Sequence, residues 1–100
     1  MKSEYDIFLT RLNSRTYNVE QYSSKMLSFL FIMYNYCDRN IKNLDKGLKY
    51  FFKYKTFKNW RERIDYITSR NNWQTKLSMI MRYGEKYGNI EWTNIEIKLQ

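Results

Sequence analysis

Residues 49–63 read KYFFKYKTFKNWRER, a block in which nearly every residue is aromatic or basic. Whether it is one helix or two decides the fold. An α-helix turns about 100° per residue. With Lys42 set at zero, Lys46, Lys49 and Lys53 fall within an arc of roughly 60° around it. Ile41, Leu44, Leu48, Phe51 and Phe52 occupy the opposite side, so the segment predicts a helix with an apolar back and an all-lysine front. If that helix continued, Phe57, Trp60, Ile64 and Ile67 would land on the lysine arc. A core-facing stripe cannot jump by about half a turn within one straight helix. The block therefore predicts two helices meeting at a corner. The first ends near Tyr54–Lys55 and the second starts at Phe57, capped by Thr56.

Upstream, Val19, Tyr22, Met26, Phe29, Leu30, Met33 and Cys37 follow the helical period from a start at Asn18 and Gln21. Leu27, Phe31 and Ile32 add apolar surface on the other sides, which predicts a central, buried helix. Asp38, Asn40 and Asn43 are poor helix formers and predict a break after it. An uninterrupted helix from Asn18 to Tyr54 would be about 55 Å long, too long for a compact chain of 100 residues. At the front, Ser3 and Asp6 have capping-box spacing ahead of Tyr5, Phe8, Leu9 and Leu12, and Asn13 and Ser14 end that helix.

Downstream, the helix from Phe57 to about Arg70 has a polar face of mixed sign, Lys58, Arg61, Glu62 and Asp65. Asn71 and Asn72 stop it. Trp73, Leu77, Ile80 and Met81 predict a further helix, closed by Gly84 as a left-handed cap with YGEKYG as a tight linker. In the tail, Ile95, Ile97 and Leu99 alternate like a strand, whereas Trp92, Ile95 and Leu99 fit a helix. The expected fold is mainly α: one domain over residues 1–100, a small compact bundle of four to five helices, with a short C-terminal strand as the alternative for the tail.

Hydrophobic residues make up 43% and aromatic residues 19% of the chain, which excludes a disordered polymer. Ala is absent, so bulky contacts and wide helix spacing are expected. Pro and His are also absent, while Lys, Asn, Ile, Tyr and Phe supply nearly half the residues. Those five use A/T-rich codons, which suggests a phage, mobile-element or low-GC genome and inflates lysine for reasons unrelated to function. Residues 1–12 do not read as a signal peptide, and the apolar run Met26–Tyr34 is about half the length of a membrane span. A lone cysteine, Cys37, lies in an apolar run and reads as a small buried hydrophobe. A reducing, intracellular, cytoplasmic setting is expected.

The chain lacks the equipment of most enzymes. Without His, neither a Ser–His–Asp nor a Cys–His pair can form, zinc ligands are too few, and there is no phosphate-binding glycine loop. Glu96-Ile97-Lys98 matches the Glu-x-Lys of some metal-dependent nucleases, but the parallel strands that such a site needs are missing from the pattern. The reading is therefore non-enzymatic, with no cofactor and no metal.

The formal net charge is +8, which favours polyanionic partners. The sharpest signal is the stripe Lys42, Lys46, Lys49 and Lys53, spaced i, i+4, i+7, i+11 over roughly 16 Å, with Tyr50 and Tyr54 on its flank. Lysines in a row can meet successive phosphates, and rings beside them can stack on exposed bases. The competing reading is a solvated helix face. The arginines are scattered without a motif, and Arg61 and Arg63 point to different sides of their helix. The expectation is engagement of a nucleic acid, or of the nucleic-acid path of a nucleoprotein machine, through the lysine face. Ten Tyr and three Trp exceed what a small core readily hides. They raise a second expectation, an anti-CRISPR-like inhibitor that binds a host defence nuclease through exposed aromatics. A self-associating subunit is the third.

Overall fold

A computed structural model describes residues 2–53, 55–69 and 72–92. These residues form five α-helices and one short 3₁₀ turn: α1 (Glu4–Asn13), the turn Val19–Gln21, α2 (Ser24–Tyr36), α3 (Ile41–Phe51), α4 (Trp60–Thr68) and α5 (Trp73–Gly88). The protein is a mainly α bundle of 38 × 30 × 27 Å. No single straight helix from Asn18 to Tyr54 would fit within those dimensions. The tail beyond Trp92, including the strand-or-helix segment and Glu96-Ile97-Lys98, lies outside the described residues.

The first helix is capped as its sequence predicts. The Asp6 backbone N–H donates to Ser3 Oγ at 3.1 Å, and the Ser3 N–H donates back to Asp6 Oδ2 at 3.4 Å. Phe8 and Leu12 are its buried face. The Arg11 guanidinium donates to the Tyr34 hydroxyl and to the Arg39 carbonyl at 3.3 Å, tying α1 to the end of α2.

Helix α2 is the centre of the core, with Met26, Phe29, Leu30, Met33, Tyr34 and Tyr36 buried. It begins later than its apolar period suggests. Val19–Gln21 make only a 3₁₀ turn, Tyr22 is extended, and Ser23 is the true cap, its Oγ accepting from the Met26 N–H at 3.2 Å. The chain then reverses through two successive left-handed residues, Asp38 at φ 54° and Arg39 at φ 55°. Asn40 starts α3 by accepting from the Lys42 and Asn43 N–H groups at 3.0 and 3.3 Å.

The most extensive helix pair is α3 with α5. Its closeness corrects the expectation of wide spacing, because glycines stand in for the missing alanines. Gly47 and Gly84 are both buried, and the Trp92 indole lies against both. A Cβ on Gly47 would sit 3.0 Å from Trp92 Cη2, and one on Gly84 would overlap the same ring outright. The indole is held by its Nε1–H, which donates to the Met81 carbonyl at 2.8 Å. Gly84 is therefore not a helix cap, and YGEKYG is not a linker. Helix α5 runs through it to Gly88 and is closed by Asn89 in the left-handed conformation, with the Ile90 N–H donating back to the Gly84 carbonyl at 3.1 Å.

The corner after α3 also differs in detail. The helix ends at Phe51, about a turn before the expected Tyr54–Lys55. Helix α4 starts at Trp60 rather than Phe57. Asn59, not Thr56, is its cap, accepting from the Glu62 N–H at 2.9 Å. Glu62 reaches back to the Lys58 N–H at 2.8 Å, which fixes the start. At the far end the Lys76 ammonium donates to the Tyr66 carbonyl at 2.7 Å, satisfying a backbone acceptor in the last turns of α4.

Candidate nucleic-acid interface

The burial of one side of α3 dictates what its other side presents. Leu44, Gly47 and Leu48 face the core, so Lys42, Lys46 and Lys49 are turned to solvent, and all three are exposed. The helical part of the stripe, Lys42 to Lys49, is about 10 Å long. Lys53 is exposed too, but it sits in the turn after the helix, where its backbone N–H donates to the Tyr50 carbonyl at 3.2 Å. The stripe of four thus becomes three lysines on a rigid helix and a fourth on the corner. Tyr54 lies outside the described residues.

The flank of the stripe contains a side chain of opposite sign. Asp45 is about 60° around α3 from Lys42. Its carboxylate accepts from Arg15 Nε at 2.6 Å, so the acid is neutralised from the loop after α1. Tyr17 lies beside it. Burial, foremost, pushes the Asp45 carboxyl above its usual range, against the opposing pull of Tyr17 and Arg15. Burial, with the Asp45 charge second, pushes the Tyr17 hydroxyl well up. The Tyr17 hydroxyl and Asp45 Oδ1 are both buried and complete no well-formed hydrogen bond among the described residues. The Arg15–Asp45 pair ties α3 to the loop after α1 and offsets the acid beside the lysine row.

Tyr50 is half-buried, and its ring stacks near Tyr87 of α5, centroids 6.3 Å apart and planes 29° apart. Tyr87 in turn packs on Tyr83 at 5.5 Å and is 41% exposed. Two ammonium groups lie over the Tyr87 ring, Lys86 at 5.1 Å and Lys53 at 6.0 Å. The basic face of α3 therefore ends in a ladder of three tyrosines with lysines on it, and two of those three rings come from α5. Sequence reasoning missed Tyr83, Lys86 and Tyr87, because Gly84 read as a stop. The signal was present. Leu77, Ile80 and Gly84 continue one helical stripe, and Tyr83 and Tyr87 are one turn apart beside it.

The other aromatics divide between the core and a half-buried shell, to which all three tryptophans belong. Tyr17, Tyr22, Tyr34 and Tyr36 are buried, and the most exposed large hydrophobic side chains among the described residues are Tyr5, Met79 and Tyr87, each still more than half covered. Cys37 is buried and burial pushes its thiol up, away from reactivity. No group of three His, Cys, Asp or Glu among the described residues is placed to hold a metal ion. Among the same residues no helix is long and apolar enough to cross a membrane. Compared with known proteins, the chain matches no family model, no curated protein and no solved structure.

Proposed function

We propose that this protein is a non-enzymatic binding protein. Its target is nucleic acid, or the nucleic-acid path of a nucleoprotein machine, engaged through the outer face of α3 and the tyrosine ladder at its end. The observation that carries this is the one-sidedness of α3. Its inner side is locked against α5, Lys42, Lys46 and Lys49 all stand outside, and Asp45 on the flank is already paired with Arg15. A rigid row of cations beside partly open rings suits a strand whose phosphates line up with the lysines and whose bases can stack. Rings at the surface favour unpaired bases, so single strands are the preferred form.

Fluorescence anisotropy with a labelled single-stranded oligonucleotide tests this across a salt series. Four phosphate contacts predict a slope of log K against log salt of about −3 for a single strand. Affinity that is flat from low to high salt would refute the reading. A duplex of the same sequence should bind more weakly than the single strand.

A further inference from the structure

At the corner after α3, the lysine stripe opens into a cleft of about 680 Å³. Its apolar walls are Phe52, Phe57 and Trp60, and its cations are Lys49, Lys55 and Arg63, with Lys53 also on the lining. No carboxylate is among the described lining residues. The rings form an edge-on box. Phe52 meets Phe57 at 5.1 Å and Trp60 at 6.4 Å, with interplanar angles of 77° and 78°. Phe52 is buried, whereas Phe57 and Trp60 are only half-buried and keep surface open. The Arg63 guanidinium lies over this wall, its Cζ 4.5 Å from the Trp60 ring centroid and 5.7 Å from that of Phe52. Its Nε–H is buried and has no hydrogen-bond acceptor among the described residues. The Lys55 ammonium donates to the Tyr66 hydroxyl at 2.7 Å and lies 4.2 Å from that ring's centroid. That hydrogen bond, foremost, lowers the Tyr66 hydroxyl from its usual range.

We infer that this corner cleft is a subsite for one nucleoside phosphate. The base lies on the Trp60–Phe57 surface against Arg63, and the phosphate is met by Lys49 and Lys55. The volume suits a ligand of that size. The pairing of π surface with unbalanced positive charge selects a flat heteroaromatic ring carrying an anion. An acidic peptide would satisfy the lysines and leave the rings bare. Arg63 on the lining adds a charge-assisted donor for an oxygen of the ligand. The inference rests on the proposed function, since stripe and cleft share Lys49 and Lys53 and the bound unit is either one nucleotide of a strand or a free nucleotide.

The test follows the three indole N–H signals of the full chain by ¹H–¹⁵N NMR, assigned by Trp→Phe variants. Adenosine monophosphate, inorganic phosphate, a single-stranded oligonucleotide and a poly-glutamate peptide are titrated in turn. The subsite predicts that the Trp60 signal moves with the oligonucleotide, with the mononucleotide, or with both, and stays in place with phosphate and with poly-glutamate. A response to the oligonucleotide alone assigns the site to a strand. A response to the mononucleotide alone assigns it to a free nucleotide and counts against the strand reading. Arg63→Gln and, separately, the more exposed Lys55→Gln should each weaken the responding nucleotide about tenfold, the scale of one lost charge-assisted hydrogen bond. Lys42→Glu with Lys46→Glu should weaken only the oligonucleotide. Oligonucleotide binding that is sensitive to Lys42→Glu while Trp60 stays still would overturn the subsite and leave the proposed function standing. An equal Trp60 response to poly-glutamate, or a response to phosphate that matches the mononucleotide, would overturn it as well.

Discussion

Helices α2 and α3 are neighbours in sequence and similar in length, yet they do opposite work. Helix α2 is apolar nearly all round and turns six of its thirteen residues into core. Helix α3 buries three of its eleven and leaves Lys42, Lys46 and Lys49 in water. A helix that gives most of its apolar side chains to the core acts mainly on the stability of the fold. A helix anchored along one stripe holds its other side rigid, which spares a ligand the entropy of ordering that surface. Mutations on the two should therefore separate stability from binding.

The largest stability effect is expected in α2. Leu30 is fully buried, so Leu30→Ala should cost about 3–5 kcal/mol, read as a lower urea midpoint with an unchanged slope. For a chain of this size that is a large share of the total. A loss under about 1 kcal/mol would mean that α2 is not the centre of the core.

The next effect lies on the inner side of α3. Gly84→Ala should cost about 1–3 kcal/mol, because a methyl there meets the Trp92 indole. Gly47→Ala should cost less, since its methyl would be tight rather than overlapping and alanine favours the helix by about 1 kcal/mol. Reversal of that order would show that Trp92 does not sit between α3 and α5.

A smaller effect, visible in alkali, comes from the loop that leads into α2. Burial pushes the Tyr22 hydroxyl from its ordinary 10.0 to about 12, and that hydroxyl has no hydrogen-bond partner among the described residues. A raised pKa means that the folded state resists ionisation. The associated stability is complete below pH 10 and is lost as pH rises from 10 towards 12. Tyr22→Phe should flatten the decline of the urea midpoint over that window and change stability at pH 7 by less than about 1 kcal/mol. An unchanged alkaline decline would exclude Tyr22 as its source.

The same contrast explains what the sequence disclosed. Features set by residues close in the chain were legible: the Ser3–Asp6 cap, the apolar run of α2, the break at Asp38–Asn40 and the phase jump between α3 and α4. Helix ends were less so, because several side chains compete to cap a given start. Ser23 outcompetes Asn18, and Asn59 outcompetes Thr56, although all four are plausible caps. The extent of α5 was hidden for a tertiary reason. Gly84 is glycine because an indole from residue 92 needs the space, and no local rule distinguishes that from a cap. The interface followed suit. Lys42, Lys46 and Lys49 were legible from periodicity, whereas Tyr83, Lys86 and Tyr87 join that face only through contacts between α3 and α5, and the cleft at Trp60 depends on how the chain turns between α3 and α4.

The smallest expected change in stability belongs to the outer face of α3, and it accompanies the largest expected change in binding. The decisive measurement takes one variant, Lys42→Glu with Lys46→Glu and Lys49→Glu, and records both its urea midpoint and its affinity for a single-stranded oligonucleotide at low salt. The stability should stay within about 0.5 kcal/mol per site, since all three side chains are in solvent. Oligonucleotide binding should be lost. A variant that folds normally and binds as tightly as the original protein would contradict the assignment of this face.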